Sequence, residues 1–224
     1  MVRMSHILAL ALSLAVAPAM ADDRDIDKVN GGITAEAGQQ YGSLSTVNGG
    51  IRIGAGAVVD DVETVNGGIR VGDNARVGSL ETVNGSIRLG TGVEVEDGIG
   101  TVNQDVFVDR GGRIGGDIET VNGDIGLVDS DLAGSIETVN GDITVGAGSV
   151  VGGGIKVEKQ GNRWWPFDFG KQDPTRVVIG PGARVEGPLV FEREVKLHVH
   201  ATAEIGPVTG ATAVRYEGDS APRD

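Results

Sequence analysis

The chain contains no cysteine. That excludes a disulfide framework, a thiolate metal site, a thiol nucleophile and lipidation through an N-terminal cysteine. Aromatic residues are scarce, at 4% of 224 residues, which is too few for the large side chains of a conventional globular core. Basic residues are outnumbered, 19 Lys and Arg against 32 Asp and Glu, and the formal net charge is −13. That balance argues against binding nucleic acid through its phosphates. No Gly-Lys-Ser/Thr phosphate loop occurs, and no Ser or His is arranged for nucleophilic catalysis. After residue 21 no apolar run is long enough to span a bilayer, so no membrane span is expected in the mature chain.

Glycine, by contrast, is abundant at 38 residues, without the three-residue period of collagen. Its distribution follows a repeat. Thr-Val-Asn-Gly recurs with Asn48, Asn66, Asn84, Asn122 and Asn140; Lys28-Val29-Asn30-Gly31 is a degenerate first copy, and Thr101-Val102-Asn103-Gln104 loses the glycine once. Successive asparagines are 18 or 19 residues apart, the signature of a solenoid in which each turn of chain stacks on the last.

One coil can be read from Asn66 to Val83. Asn66-Gly67-Gly68 is a turn, and Ile69-Arg70-Val71 alternates in, out, in. Gly72-Asp73-Asn74 turns again before a second strand, Ala75-Arg76-Val77. Gly78-Ser79 makes the last corner, and Leu80-Glu81-Thr82-Val83 is the third strand, with Leu80 and Val83 assigned inward. Three strands and three corners predict an all-β, single-stranded triangular β-helix of about 18 residues per coil. The apolar columns repeat in neighbouring coils: Ile51, Ile69, Ile87 on the first face; Val59, Val77, Val95 on the second; Leu44, Val62, Leu80 on the third, closed by Val47, Val65, Val83, Val102, Val121 and Val139. The two 19-residue coils place their extra residue before the third strand, at Glu96-Asp97-Gly98 and Gly115-Gly116-Asp117. With the third-face valines inward, a left-handed coil would bury Glu63, Glu81 and Glu137, so the right-handed form is favoured.

The asparagine column Asn30, Asn48, Asn66, Asn84, Asn103, Asn122 and Asn140 is expected to form a structural amide ladder, each side chain bonding its neighbour one coil away. Residues 1–21 read as a Sec-type signal peptide: Arg3, an apolar core from Ile7 to Val16, and a small-x-small cleavage site at Ala19-Met20-Ala21. The mature protein is expected to be periplasmic or secreted. Residues 22–157 form coils beginning with a polar cap, 175–212 form terminal coils, and 213–224 a flexible tail. Between the two blocks lies a 158–174 insertion that gathers Trp164, Trp165, Phe167 and Phe169. Those four aromatics either cover a helix face or bind an envelope protein or glycan. His198 and His200 are too few to hold a metal, so no metal, cofactor or catalytic residue is expected. Aspartates such as Asp60, Asp73, Asp117 and Asp124 fall at corners too short to wall a cleft.

The pattern Gly-Asp-Ile-Glu-Thr-Val-Asn-Gly-Asp-Ile at 116–125, its variant at 134–143, and the stretches 145–155 and 178–189 resemble two related bacterial groups. One is the bactofilin-type polymer-forming proteins; the other is the adhesin-type β-solenoid domain of envelope proteins. The resemblance covers about residues 29–210. It implies a right-handed triangular helix, no nucleotide, and end-to-end assembly of copies. Bactofilins polymerise in the cytosol, whereas this chain has a signal peptide, an aromatic insertion and frequent asparagine. The expectation is therefore a non-enzymatic, exported, structural or adhesin-like envelope element able to form homo-oligomers. The alternative is a carbohydrate-active β-helix enzyme acting on an envelope or extracellular polysaccharide. A left-handed acyltransferase is disfavoured, because such enzymes use cytosolic acyl-CoA.

Overall fold

In the computed structural model, residues 24–159, 174–218 and 220–222 are described. The described chain is a β-solenoid of strands and corners with no helix. It follows that no described helix is long and apolar enough to cross a membrane. Residues 1–21, expected from the sequence to be a signal peptide, and the four aromatics of the insertion lie outside the described residues.

The first face is a ten-stranded parallel sheet that runs from Ile33–Ala35 through Ile69–Val71 to Ala213–Tyr216. The second and third faces join into one seventeen-stranded parallel sheet, because strands such as Val58–Asn66 and Arg76–Thr82 continue through the corner between them. Register is strict. Ile51 pairs with Ile69 and Ile69 with Ile87; Val59 pairs with Val77; Leu44 pairs with Val62 and Val62 with Leu80. The core is thus a stack of like on like, at the strand spacing of about 4.8 Å. Leu132 fills the second-face column between Ile114 and Val151.

The third face differs from the sequence expectation in one respect. Its second inward residue is threonine, not valine: Thr46, Thr64, Thr82, Thr101, Thr120 and Thr138 are buried, whereas Val47, Val65, Val83, Val102 and Val121 point outward and are half-buried. Only Val139 of that set is buried. Strand alternation decides this, since two residues on from Leu80 is Thr82. A buried hydroxyl needs a partner, and the corner carbonyl supplies one to Thr46, Thr64, Thr82 and Thr101, whereas the Thr120 and Thr138 hydroxyls have none among the described residues. Thr64 Oγ1 donates to the Gly49 carbonyl at 2.9 Å, and Thr82 Oγ1 to that of Gly67 at 3.0 Å. Glu63, Glu81 and Glu137 then alternate outward as a matter of course. With those valines outward, buried carboxylates no longer distinguish right-handed from left-handed winding.

The Thr-Val-Asn-Gly coils need glycine where they bend from the third face into the first. A Cβ on Gly67 would sit 2.0 Å from the Gly49 carbonyl oxygen, and one on Gly85 1.9 Å from that of Gly67. Stacked corners pass too close for any side chain, which is why glycine follows asparagine in the repeat. Gln104 is the exception and adopts φ 153°, a conformation L residues rarely enter. The corner between first and second faces uses left-handed residues instead. These include Gly56 (66°), Asn74 (55°), Gly92 (68°) and Asp129 (45°), and several donate their N–H to the coil above, as Gly56 does to Asp73.

The extra residue of the 19-residue coils lies where expected, between Val95 and Ile99. It then persists in the coils that follow, Ile114 to Ile118 and Leu132 to Ile136. Asparagine spacing returns to 18 because the other corner shortens at Val128-Asp129-Ser130, where Ser130 Oγ donates to the carbonyls of Val128 and Asp109.

The insertion leaves the coil series without disturbing it. Ile143 pairs with Val177 and Ile155 with Leu189, so the next coil stacks normally after the detour. At the C-terminal end the expected tail begins later than residue 213. Ala213–Tyr216 is a strand, with Leu197 paired to Ala213 and His200 to Tyr216. At the other end Ile26–Asn30 pairs with Leu44–Asn48, and Asp25 accepts the Ser43 N–H at 2.9 Å.

The Gln104 corner yields a test. Replacing Gln104 with Gly should raise the melting temperature, relieving strain on the order of 1–3 kcal/mol less the added chain entropy of glycine. Gly85→Ala should lower it sharply. Differential scanning calorimetry on both variants checks the pair, and a lower melting temperature for Gln104→Gly would contradict the steric account.

Candidate functional site

The most repeated polar groups are consumed by coil-to-coil bonding. Asn48 Nδ2 donates to Asn30 Oδ1 at 3.1 Å, and the same bond recurs up the column to Asn140 and Asn122 at 2.8 Å. Between them lie Asn66 to Asn48, Asn84 to Asn66, Asn103 to Asn84 and Asn122 to Asn103. All seven predicted ladder residues are therefore brought together. They stand on the outer corner, exposed or half-exposed, rather than buried. The ladder position of the next coil is Lys159, where the insertion departs, and Arg193 holds it one coil later. Arg193 reaches back to donate to Asn140 Oδ1 and to the Val139 carbonyl, at 2.9 Å for the latter. A cationic donor thus closes the acceptor end of the amide chain.

The corner aspartates work similarly. Asp105 accepts the Asp124 N–H at 3.0 Å, Asp124 that of Asp142 at 2.7 Å, and Asp142 that of Arg176 at 2.8 Å across the insertion. Asp117 accepts the Ser135 N–H, Asp73 that of Thr91, and Asp61 the Ser79 hydroxyl. These carboxylates tie one coil to the next.

The outward columns carry the remaining chemistry. On the second face, charges alternate along the stack: Arg76 bonds Glu94 at 2.7 Å, Arg113 bonds the same carboxylate, and Arg184 pairs with Glu204 at 3.2 Å. The two guanidiniums hold Glu94 below the usual carboxylate range. Beside this ladder, Gly115, Ala133 and Gly152 leave an open groove next to Arg113, Asp131 and Val150. On the third face, Glu63 is stacked on Glu81, and Glu119 on Glu137, with Gly100 between the pairs and Lys156 beyond. Burial among neighbouring rungs pushes Glu63 above the usual range, and Asp61 and Asp27 add to it. Burial raises Glu137 likewise, against the opposing pull of Lys156. On the first face the column reads Arg52, Arg70, Arg88 and Phe107, all exposed. Reading along the chain did not reveal this arginine column, because its members are a full coil apart.

His198 is buried, and His200 Nδ1 faces the Thr202 hydroxyl at 2.8 Å while its ring meets Tyr216 edge-on at 5.1 Å. Among the described residues no three His, Asp or Glu side chains gather as metal ligands. Comparisons with protein-family models, curated proteins and solved structures find no match.

Two outcomes test these ladders. Asn84→Ala removes a bond on each side, but water can replace both at an exposed corner. The loss should be about 0.5–1.5 kcal/mol, measured by urea unfolding. A loss above about 3 kcal/mol would mean that the column is shielded after all. Glu63 and Glu137 have raised folded-state values, so their destabilising effect is absent at low pH and develops as pH rises through the folded value. Stability should therefore increase as pH falls from neutrality toward the upper carboxylate range. It should decline at more acid pH, where Glu94 loses its charge and its arginine bonds. Glu63→Gln should raise the neutral-pH melting temperature and flatten the first limb; a steeper limb would contradict the assignment.

Proposed function

We propose that this chain is an exported, non-enzymatic β-solenoid that serves as a structural or adhesin-like element of the bacterial cell envelope. The observation that carries the reading is the use of its polar repeat. The asparagine and aspartate columns, where a catalytic or ligand-binding set would be sought, bond one coil to the next. Such a molecule is a rigid rod whose surface, rather than a cavity, meets its partners. A polysaccharide-cleaving enzyme would need carboxylates facing each other across a walled cleft. The Glu63, Glu81, Glu119 and Glu137 column lies along one open face instead.

The basic start, short apolar core and Ala-Met-Ala site of residues 1–21 support export. The terminal coils support self-association: among the described residues Ile26–Asn30 and Ala213–Tyr216 are each paired on one side only, with Val29 58% and Val214 52% exposed. The aromatic insertion, with Trp164, Trp165, Phe167 and Phe169, emerges at the asparagine corner and is the segment we assign to an envelope protein or glycan.

Export is tested by expressing the full chain in a bacterium with a periplasm, fractionating the cells and sequencing the protein's N-terminus. The expected product begins at Asp22 and leaves with the osmotic-shock or culture fraction, while Leu10→Arg with Leu12→Arg holds it uncleaved in the cytoplasm. An intact N-terminus in the cytosolic fraction of the unaltered chain would refute the export reading.

A further inference from the structure

The arginine column is an anomaly in so acidic a protein. Arg52, Arg70 and Arg88 are register partners on three successive strands, about 4.8 Å apart, so three like charges lie in line. All three are exposed, and none makes a hydrogen bond or ion pair to another described residue. Their rungs offer no counter-charge: residues 49–54, 67–72 and 85–90 contain no Asp or Glu, and glycines border the column on both sides. Elsewhere the molecule pairs its stacked arginines with carboxylates, as at Arg76, Arg113 and Arg184. A bare guanidinium stripe with glycine margins is open to close approach by an anionic, flat, periodic surface.

The molecule itself presents one. Along the third face the outward column reads Ser45, Glu63, Glu81, Gly100, Glu119, with the same rung spacing because it belongs to the same coils. Along the first face the column reads Arg52, Arg70, Arg88, Phe107, Gly126. Laid side by side with axes parallel, Arg70 meets Glu63, Arg88 meets Glu81, and Phe107 meets the gap at Gly100, while Glu119 meets the gap at Gly126. The half-buried Val65 and Val83 flank Glu63 and Glu81, Val102 flanks Gly100, and all three add apolar contact.

We infer that the first face of one copy docks on the third face of a second copy of this chain, axes parallel and coils in register. The contact joins two different faces, so it is heterologous and propagates into a ring or a lateral filament. It is distinct from contact between the open ends of the solenoid. It also rests on the outward columns alone and not on the export reading, so failure of either leaves the other standing.

Exposed ion pairs are individually weak, so assembly should depend on concentration and salt. Analytical ultracentrifugation of the purified protein should show assemblies at low ionic strength that dissociate as salt rises from about 0.05 to about 0.5 M, where screening is nearly complete. Two charge-reversed proteins decide the contact: Arg52→Glu, Arg70→Glu, Arg88→Glu in one, and Glu63→Arg, Glu81→Arg in the other. Each alone should fail to form the salt-sensitive assembly at tenfold or more above the concentration at which the unaltered protein forms it, as expected for a penalty of about 1.4 kcal/mol or more; end-to-end contact, where present, is unaffected by salt or reversal. Mixed in equal amounts, they should assemble again. Far-UV circular dichroism should show the same β-structure in both. The inference is overturned if either reversed protein forms the salt-sensitive assembly alone, if the mixture does not restore it, or if the unaltered protein never forms it. A monomer whose arginine stripe instead retains polygalacturonate, with loss of retention in the arginine-reversed protein, would likewise overturn it and make the stripe a site for an acidic glycan.

Discussion

Parallel, in-register backbone bonding between coils is the constraint on which everything else depends. Once Ile69 must sit above Ile51 and below Ile87, every other position in the coil acquires a fixed neighbour of its own kind. A column of like residues is stable only where like tolerates like. Aliphatic side chains do so by packing, amides by head-to-tail bonding, and glycines because nothing else fits between successive corner carbonyls. The Thr-Val-Asn-Gly repeat combines these solutions: a threonine whose hydroxyl reaches a corner carbonyl, an outward valine, a bonding amide and a bare turn. Stacked ions are the case that the constraint handles badly, and the protein treats them in three ways. The second face alternates signs, the third leaves carboxylates half-buried, with Glu63 and Glu137 harder to ionise, and the first leaves arginines exposed.

The fold was legible because the constraint writes itself into sequence as a period. Asn48 to Asn66 to Asn84 measures the coil, and the aliphatic columns follow from it. What was not legible follows from places where two rules compete. Val83 was assigned inward on hydrophobicity, but strand alternation puts Thr82 there, and a carbonyl one coil below removes the cost of burying its hydroxyl. The shortened corner at Val128-Asp129-Ser130 was invisible, because the longer corner at Gly115-Gly116-Asp117 is kept in the next coil and the asparagine spacing returns to 18. Ala213–Tyr216 lacked a recognisable corner and read as tail, yet the open edge of Val195–His200 gave it a strand to pair with.

The charge columns show a different kind of blindness. Arg52, Arg70 and Arg88 are unremarkable along the chain, each a polar residue between two aliphatics. Only the register makes them neighbours. The same holds for Glu63 and Glu81, on a different face of the same coils. Surface chemistry in a solenoid is therefore a property of columns, and a substitution there acts on a stripe. Reversing Arg70 would place a carboxylate between two guanidiniums and produce the alternating pattern already present at Arg76, Glu94 and Arg113. That the protein uses alternation on one face and uniform charge on another argues that stability alone did not set the first face.

The insertion illustrates how far the stack can be stretched without breaking. It departs at Lys159, the ladder position above Asn140, so the amide chain must end there. Arg193, at the same position one coil later, reaches back to Asn140 Oδ1 and the Val139 carbonyl. Asp142 does the same for the first face, accepting the Arg176 N–H where the chain returns. Two charged groups thus span the detour, one on each side, and Ile143 meets Val177 as if no residues had intervened. A corner can be lengthened at will provided that the columns on either side regain register. The columns on either side of the inserted segment thus keep a single register across it.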